Sequence, residues 1–319
     1  MKILFTSVGR RVELMQAFRN AADELGVELT IIGADITSSA PALFFCDETQ
    51  IVCRIKEPEY IPQLLSICEQ ENVDCLIPTI DTDLLLLAEN KEKFEAIGTK
   101  VLISAVDKVK LCRDKRFTAD YFISLGLKSP LPVDDVENYT SGYPAFIKPK
   151  DGSSSVDAYK VENEEDLRTY ANKINDYIIQ PFISGREYTI DIFCDYEGNP
   201  VYITPRERLA VRAGEVLKTQ ICQDDTMIAE MKTLCADYKP CGQITVQLIQ
   251  DENTGDNYYI EINPRFGGGA PLSIKAGADS AKGVIRMLNG ETLNYVEKAA
   301  RNKATYSRFD QSICVDEGV

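Results

Sequence analysis

Residues 245–269, TVQLIQDENTGDNYYIEINPRFGGG, contain two apolar runs separated by a polar stretch. Apolar residues occupy every second position from 244 to 248 and again from 258 to 262. This alternation is typical of half-buried β-strands. The intervening residues 251–256 (DENTGD) have the composition of a turn. The sequence therefore predicts a β-hairpin.

One face of this hairpin is predicted to hold three side chains that carry oxygen. If the hairpin is symmetric about Thr254, Gln247 lies opposite Glu261. The same register places Thr245 opposite Asn263, with cross-strand Cβ atoms about 4.5–5.5 Å apart. Amide and carboxylate oxygens are ligands for hard cations such as magnesium, often together with phosphate oxygens. An ordinary solvated hairpin face is the alternative that this pattern leaves open.

The spacing of these residues resembles the metal-ligand signature of the ATP-grasp superfamily. The matching residues are Gln247, Glu261 fourteen positions later, and the Asn263-Pro264-Arg265 that follows. The resemblance implies ATP, and magnesium or manganese held by Gln247, Glu261 and Asn263. It also implies that Arg265 stabilises charge on the transferred group.

The composition is that of an acidic globular protein of 319 residues with a formal net charge of −15. Nucleic-acid phosphates are bound by clustered Lys and Arg, so this charge argues against a nucleic-acid partner. The chain has no histidine, which excludes Ser-His-Asp and Cys-His hydrolysis and the usual zinc sites. Its ten cysteines include no C-x-x-C pair, and we expect reduced, buried thiols.

No signal peptide precedes the first predicted strand, and no run of about 18 apolar residues occurs. We therefore expect a cytoplasmic protein with no membrane partner. The oligomeric state stays open, with a homodimer as one option.

Strand and helix patterns alternate over the first hundred residues. The sequence predicts strands at 2–6, 29–34, 75–78 and 101–104, and helices that start at 12, at Pro58 and, capped by Asp81, before 84. Such alternation predicts a Rossmann-like α/β domain with a parallel sheet and helices on both faces. The dinucleotide fingerprint G-x-G-x-x-G is absent, since only Gly9 stands in the first turn.

The first turn, Gly9-Arg10-Arg11, favours an anion at the start of a helix, although solvated arginines explain it equally well. In ATP-grasp enzymes a domain of this kind often lends its first loop, and the loop after a later strand, to the substrate. The resemblance therefore implies Gly9, Arg10, Arg11 and Asp81 as substrate residues.

Two lysines are implied as ligands of the nucleotide phosphates. Asp114 is predicted to cap a helix that ends at Gly126, with Lys115 in its first turn. Lys148 lies in the apolar run YPAFIKPK (143–150), where a lysine either reaches solvent or meets a negative partner. A small-residue loop that resembles the ATP-grasp cover of the triphosphate follows it and contains Ser153, Ser154 and Ser155. A surface lysine and a generic Gly/Ser turn are the alternatives.

Residues 177–188, YIIQPFISGREY, resemble the hinge between the two ATP-grasp subdomains. The resemblance implies adenine contacts at Pro181, Phe182 and Ile183, and a ribose contact at Glu187. Gln180 stands where Glu is common, which leaves its own contact open.

Charges of mixed sign fill residues 205–218, which we expect to form a loop. In ATP-grasp enzymes this segment supplies basic residues to the γ-phosphate and the acyl substrate, and Arg206 and Lys218 are preferred here. A solvated loop is the alternative. Asp191, on the polar face of a strand predicted at 187–194, and Gly268, in the glycine run 267–269, complete the substrate residues.

The resemblance implies a Rossmann-like domain at 1–110, followed by an α+β ATP-grasp fold with a small subdomain at 111–182 and a large one at 183–319. The branch it indicates is that of the carbamoyl-phosphate-synthetase large subunit and the carboxylate–amine ligases, which share the T-S-x-G-R-R opening. The predicted activity is an ATP-dependent, ADP-forming C–N ligase that joins a small carboxylate to an amine through an acylphosphate. A bicarbonate-activating or carbamate-activating subunit and a non-catalytic nucleotide sensor are the alternatives. The tail from about 294 has no predicted place.

Overall fold

A computed structural model describes residues 1–150 and 157–316. Its N-terminal part is a parallel five-stranded sheet with the order β3-β2-β1-β4-β5. The strands are β1 Lys2–Thr6, β2 Thr30–Asp35, β3 Glu48–Ile51, β4 Cys75–Pro78 and β5 Lys100–Val101. The helices around it are α1 Val12–Leu25, α2 Tyr60–Glu71, α3 Leu84–Glu89, α4 Lys91–Ala96 and α5 Val106–Arg113, with a 3₁₀ turn at Pro41–Phe45. The predicted parallel α/β sheet is confirmed.

Two details of this half differ from the prediction. The edge strand β3 was not predicted, because its four residues alternate between partly buried and exposed and contain little apolar character. Asp81 does not cap a helix, since α3 starts at Leu84 after Asp83 and no side chain caps it. The Asp81 carboxylate instead binds Arg265.

A small antiparallel sheet with the order β7-β6-β8 follows. It consists of β6 Ala145–Pro149, β7 Tyr159–Val161 and β8 Tyr177–Pro181, together with α6 Lys115–Ser124, α7 Glu164–Ala171 and a 3₁₀ turn at Val136–Asn138. As predicted, the Asp114 side chain caps α6 by accepting a hydrogen bond from the Arg116 amide. Gly126 follows the end of that helix with a φ of 77°, where glycine is favoured.

The last part is a six-stranded antiparallel sheet with the order β13-β12-β9-β10-β11-β14. The strands are β9 Gly185–Cys194, β10 Pro200–Arg212, β11 Glu215–Ile221, β12 Gly242–Asp251, β13 Asn257–Asn263 and β14 Thr305–Ser307. The helices are α8 Asp225–Tyr238, α9 Ala270–Ala276 and α10 Ser280–Leu288. The predicted hairpin is β12–β13.

The expected loop at 205–218 is wrong, because most of it belongs to the paired strands β10 and β11. Arg206 is buried and Glu207 and Arg208 are partly buried, so these charged residues were mistaken for solvated loop residues. The tail also has a place, since β14 extends the sheet along the free edge of β11.

The N-terminal sheet packs directly against the last part of the chain. The Phe18 ring on α1 lies 4.9 Å from that of Phe5 and 5.8 Å from that of Phe266, measured between centroids. This apolar contact brings the loops after β1 and β4 next to the loop after β13. The three sheets lie within 2–101, 145–181 and 185–307, and the domain limits at 110 and 182 stay a prediction. No helix in the described part of the chain is long and apolar enough to cross a membrane.

Candidate functional site

The hairpin brings the predicted metal ligands together. Gln247 pairs with Glu261 across the two strands, and Thr245 pairs with Asn263, which confirms the predicted register at this end. A bulge follows, so that Leu248 pairs with Tyr259. Tyr259 is fully buried and Ile260 only partly so, the reverse of the simple alternation that we expected. The bulge therefore changes the buried face of β13 without moving Glu261 away from Gln247.

These three side chains form a donor set that fits a divalent cation. The Asn263 amide nitrogen donates to Glu261 Oε1 at 2.9 Å, which turns the Asn263 carbonyl oxygen away from that bond. One carboxylate and two amide oxygens thus share one face of the hairpin. Among the described residues no three His, Cys, Asp or Glu side chains gather as a metal site. A cation here would therefore depend on amide oxygens and on oxygens of a bound phosphate.

The hairpin forms one wall of a cavity of about 240 Å³. The opposite wall comes from the N-terminal sheet, through Arg11 in the loop after β1 and residues 80–82 in the loop after β4. β1 and β4 are neighbours in the sheet, and the direction of the strand order reverses between them. Ligands of open α/β sheets bind at such switch points. Of the predicted site residues, the cavity is lined by Arg11, Asp81, Arg206, Gln247, Glu261, Asn263, Arg265 and Gly268.

Lys148 is a buried charge without a counter-ion. Its side chain in β6 is 8% exposed and makes no hydrogen bond or ion pair within 1–150 and 157–316. Burial and the nearby Lys115 charge lower the pKa of Lys148 to about 8, and Glu261 opposes the shift. Lys148 therefore shares its electrostatic surroundings with both Lys115 and the hairpin carboxylate. A buried ammonium in this state is suited to an anionic ligand.

Lys115 is the first residue of α6, and its amide donates to the Lys150 carbonyl at 3.2 Å. Its ammonium nitrogen lies 3.5 Å from the same carbonyl oxygen. This contact fixes the start of α6 beside the end of β6, so both predicted phosphate lysines approach one region. Ser153, Ser154 and Ser155, predicted to cover the phosphates, lie outside the described residues.

The hinge residues lie where β8 passes into β9. The Gln180 amide nitrogen donates to the Pro130 carbonyl at 2.5 Å, so this buried side chain is already engaged within the protein. Pro181 ends β8, and the Phe182 ring lies 4.8 Å from the Lys160 ammonium. Glu187 lies on β9, 3.3 Å from Arg208. The hinge contacts themselves, including that of Ile183, stay predictions.

Arg206 is held by a buried network. Its side chain is 2% exposed, and its Nε donates to Asp191 at 2.8 Å. Asp191 also accepts hydrogen bonds from Ser273 at 2.6 Å and Thr245 at 3.3 Å. Asp191 is therefore committed to Arg206 and does not line the cavity. The Arg206 Nη1 atom is buried with no hydrogen-bond partner in the described chain, which leaves a donor for a ligand.

The loop after β13 closes one end of the cavity. A Cβ atom on Gly269 would lie 2.6 Å from Arg206 Nη2, and one on Gly268 would lie 2.9 Å from Arg11 Nη1. Neither glycine is in the left-handed region. A side chain is excluded at both positions because the arginine side chains lie so close to the backbone. The role of Gly268 in binding a substrate stays a prediction.

Three further predicted substrate or catalytic residues, in addition to Asp191, do not line the cavity. Arg10 is at the surface, 3.6 Å from Asp310. Lys218 is exposed on β11, and the Gly9 amide donates to Asp35. Conversely, the analysis of the sequence did not select Arg208 and Glu215, which line the cavity. Arg208 stands two residues after Arg206, so period-two spacing would have identified it had the segment been interpreted as a strand.

Comparison with known proteins agrees with this geometry. Residues 3–102 match the family model of the PylC-like N-terminal domain, and residues 112–269 match that of the ATP-grasp domain. The chain belongs to the ATP-grasp superfamily. The family and the fold predicted from the sequence are thus confirmed.

The similar proteins include carbamoyl phosphate synthase large chains. That of Thermotoga maritima is 25% identical over 92% of this chain and 29% of its own length. The large chain N-terminal section of Aquifex aeolicus is 26% identical over 87% of this chain and 55% of its own. The chain thus spans between about a third and about half of the curated relatives it matches.

Solved structures show the same fold at low identity. The N5-carboxyaminoimidazole synthetase of Staphylococcus aureus superposes with a TM-score of 0.72 at 17% identity, covering 92% of this chain and 78% of that one. The biotin carboxylase domain of the Hydrogenobacter thermophilus 2-oxoglutarate carboxylase gives 0.73 at 18%, covering 95% and 73%. That domain was solved with MgADP and bicarbonate.

Proposed function

We propose that this chain is an ATP-dependent ligase that joins a small carboxylate to an amine through an acylphosphate. The observation that supports it most is the buried Lys148 ammonium, which forms no ion pair within 1–150 and 157–316 and interacts electrostatically with Glu261. Glu261 in turn pairs across the hairpin with Gln247. The proposed phosphate-binding lysine and the proposed metal ligands therefore lie near enough to interact electrostatically, an arrangement that nucleotide-dependent phosphoryl transfer requires.

The nucleotide is proposed to lie between the small sheet and the large one. Lys115 and Lys148 bind its phosphates, and the loop with Ser153, Ser154 and Ser155 covers them. Residues 181–183 contact the adenine and Glu187 the ribose. Gln180 retains one free side-chain oxygen, because only its nitrogen is used by Pro130.

Magnesium or manganese is proposed to bind to Gln247, Glu261 and Asn263. The bound ion would neutralise charge on the phosphates during transfer. The chain itself positions the reactants: Asn263 orients the Glu261 carboxylate through its 2.9 Å hydrogen bond. Arg206 and Arg265, both lining the cavity, are better located than the exposed Lys218 to stabilise charge on the acyl substrate.

In the proposed reaction a substrate carboxylate oxygen attacks the γ-phosphorus of ATP, and ADP leaves. The amine then attacks the acyl carbon, phosphate leaves, and the nitrogen loses a proton. No imidazole is needed, which suits a chain without histidine, because positioning and electrostatics supply most of the catalysis. We retain the division at residues 110 and 182 as part of this proposal.

The test is ATP-dependent phosphate release with a panel of carboxylates and amines. Glu261→Gln and Asn263→Ala should lower the rate by at least about 100-fold, because the first removes the negative charge of the donor set and the second removes an oxygen ligand of the ion. The exposed Glu197→Gln is the matched control and should act as wild type. Near-normal rates in both hairpin variants would overturn the metal assignment.

The likeness to carbamoyl phosphate synthase large chains favours one other function, activation of bicarbonate or carbamate. Phosphate release with bicarbonate and ammonia, exceeding that with every other acid and amine, would establish it. Tight ATP binding with no ADP formed on any panel would instead indicate a nucleotide sensor.

A further inference from the structure

Arg11 is a cavity-lining guanidinium that forms no ion pair among the described residues. Its Nη2 donates to the Thr79 carbonyl at 3.1 Å. Burial and the neighbouring Arg265 charge lower the pKa of Arg11 to about 10, while Glu215 and Asp81 oppose the shift. Arg265 is itself neutralised by Asp81. A partly buried guanidinium in this position is therefore stabilised by an anionic ligand.

Glu215 lies across the same end of the cavity, at the start of β11. Its carboxylate receives one hydrogen bond within the described chain, from Arg308 at 3.4 Å. Arg308 makes its shorter contact, 3.0 Å, with Glu13, and Lys275 binds Glu13 as well. Glu215 thus keeps one carboxylate oxygen and part of its charge for a ligand.

Gly268 stands between these two opposite charges. A Cβ atom there would overlap Glu215 Oε2 and lie 2.9 Å from Arg11 Nη1. The two side chains nevertheless form no ion pair with each other. One small molecule at Gly268 can therefore contact both, a positive group toward Glu215 and a negative group toward Arg11.

We infer that this end of the cavity binds a small zwitterion, an amino acid that is one of the two ligase reactants. Its carboxylate binds Arg11 and its ammonium group binds Glu215. The role as a reactant rests on the proposed ligase function, whereas the binding itself does not. The cavity volume of about 240 Å³ limits the ligand to a small molecule.

Simpler ligands leave one of the charges unpaired. Bicarbonate or a plain carboxylate would pair with Arg11 and lie close to the carboxylate of Glu215. A plain amine would pair with Glu215 and leave Arg11 without an anion. The first arrangement places like charges side by side, although water weakens this effect because the Glu215 side chain is 56% exposed. The second leaves the partly buried Arg11 guanidinium without an anion, which is costly. The site should therefore prefer the zwitterion to either of its halves.

Isothermal titration calorimetry tests the inference without turnover. The twenty amino acids are titrated separately into the full chain with ADP and magnesium, and the tightest binder is compared with its decarboxylated amine and its deaminated acid. The amino acid should bind at least about tenfold more tightly than either, because each loses one charge-assisted hydrogen-bonded group.

Three variants and a control locate the binding. Arg11→Met and Glu215→Gln should each weaken it by about 10- to 100-fold, and Gly268→Ala should abolish it by filling the gap. Arg19→Met, on the same helix but paired with Asp47 at the surface, should bind as wild type. If Arg11→Met does not fold, Arg11→Lys, which keeps the charge and loses the planar fork, should still weaken binding.

The two proposals fail separately. Amino-acid binding without phosphate release from ATP would overturn the ligase and leave this site intact. The zwitterion site is overturned if no amino acid binds, if the amine or the acid binds as tightly, or if the Arg11 and Glu215 variants bind like Arg19→Met.

Discussion

Arg265 binds Asp81 through two parallel hydrogen bonds, at 2.8 Å from Nε and 2.5 Å from Nη2. The pair joins the loop after β13 to the loop after β4, residues 184 positions apart. Arg265 is 12% exposed and Asp81 33%, so water screens the pair only in part. Bidentate pairing fixes the plane of the guanidinium as well as its distance. Asp81 therefore sets the orientation in which Arg265 faces the cavity.

Asp81→Asn should lower the rate of ligation by about tenfold or more, since an ill-placed catalytic group carries such a penalty. ATP affinity should stay unchanged, because the Asp81 carboxylate acts on Arg265 and is not among the proposed nucleotide ligands. Steady-state rates and ATP calorimetry measure the two effects. Asp310→Asn, which breaks a surface pair with Arg212, is the control and should leave the rate unaltered. Equal losses of rate and ATP affinity would contradict a positioning role.

Lys148 predicts a pH dependence of nucleotide binding. With its pKa lowered to about 8 by burial, the free protein loses this positive charge as the pH rises above that value. The phosphates favour the charged form, so ATP affinity should fall by up to about tenfold per pH unit above pH 8. Titrations at pH 7 and 9, in buffers of different ionisation enthalpy, should show proton uptake at pH 9.

Lys148→Arg is the informative variant, because arginine stays charged over this range. Its ATP affinity should vary less between pH 7 and 9 than that of wild type, whereas Lys148→Met should bind weakly at both. A wild-type affinity that is the same at pH 7 and 9 would count against Lys148 as a phosphate ligand.

The donor set of Gln247, Glu261 and Asn263 contains a single carboxylate, which predicts weak metal binding in the absence of nucleotide. Gln247→Glu adds a second carboxylate directly opposite Glu261 and should raise manganese affinity by about tenfold, because ligand charge tunes such sites. Manganese EPR without ATP measures it. Gln250→Glu, three positions along the same strand and outside the cavity, is the control. An equal gain in both variants would indicate a general charge effect rather than a site.

The hairpin shows how far the sequence specifies the site. The alternation of apolar residues and the composition of the turn were enough to predict that Gln247 pairs with Glu261, because the two strands are adjacent in the sequence and joined by a short turn. The bulge beyond them was not predictable, since Tyr258, Tyr259 and Ile260 are all apolar and any of them could be buried. Tyr259 is buried because it packs against Phe122 on α6, and the centroids of the two rings lie 5.2 Å apart.

Contacts between segments that are far apart in the sequence could not be predicted from local sequence patterns. Nothing near Asp81 in the sequence indicates that Arg265 is its partner. Arg206 was interpreted as a loop residue because a charged residue is seldom buried in a strand. Its charge is neutralised by Asp191, which the pairing of β9 with β10 brings close to it. The resemblance selected Arg206 where periodicity did not, and the fold supplied Arg208 and Glu215, which neither had selected.

Asp83 predicts a pH dependence of stability. It is fully buried beneath the loop after β1 and accepts hydrogen bonds from Thr6 at 2.8 Å and Tyr60 at 3.2 Å, while its Oδ1 has no partner among the described residues. Burial raises the pKa of Asp83 from 3.8 to about 6, and the Thr6 and Tyr60 hydroxyls oppose the shift. The fold thus favours the protonated acid.

Because the folded pKa lies above the unfolded one, this group stabilises the fold most below about pH 4 and less as the pH rises toward 6, with no further change above. Asp83→Asn does not titrate, so the free energy of unfolding of wild type relative to this variant should fall by about 1 kcal/mol between pH 5 and 8. Urea denaturation at both pH values measures the difference, with the exposed Asp237→Asn as the control for non-specific charge effects. A wild-type advantage that grows with pH would mean that Asp83 is ionised in the fold and held by a cationic or hydrogen-bonding partner at Oδ1.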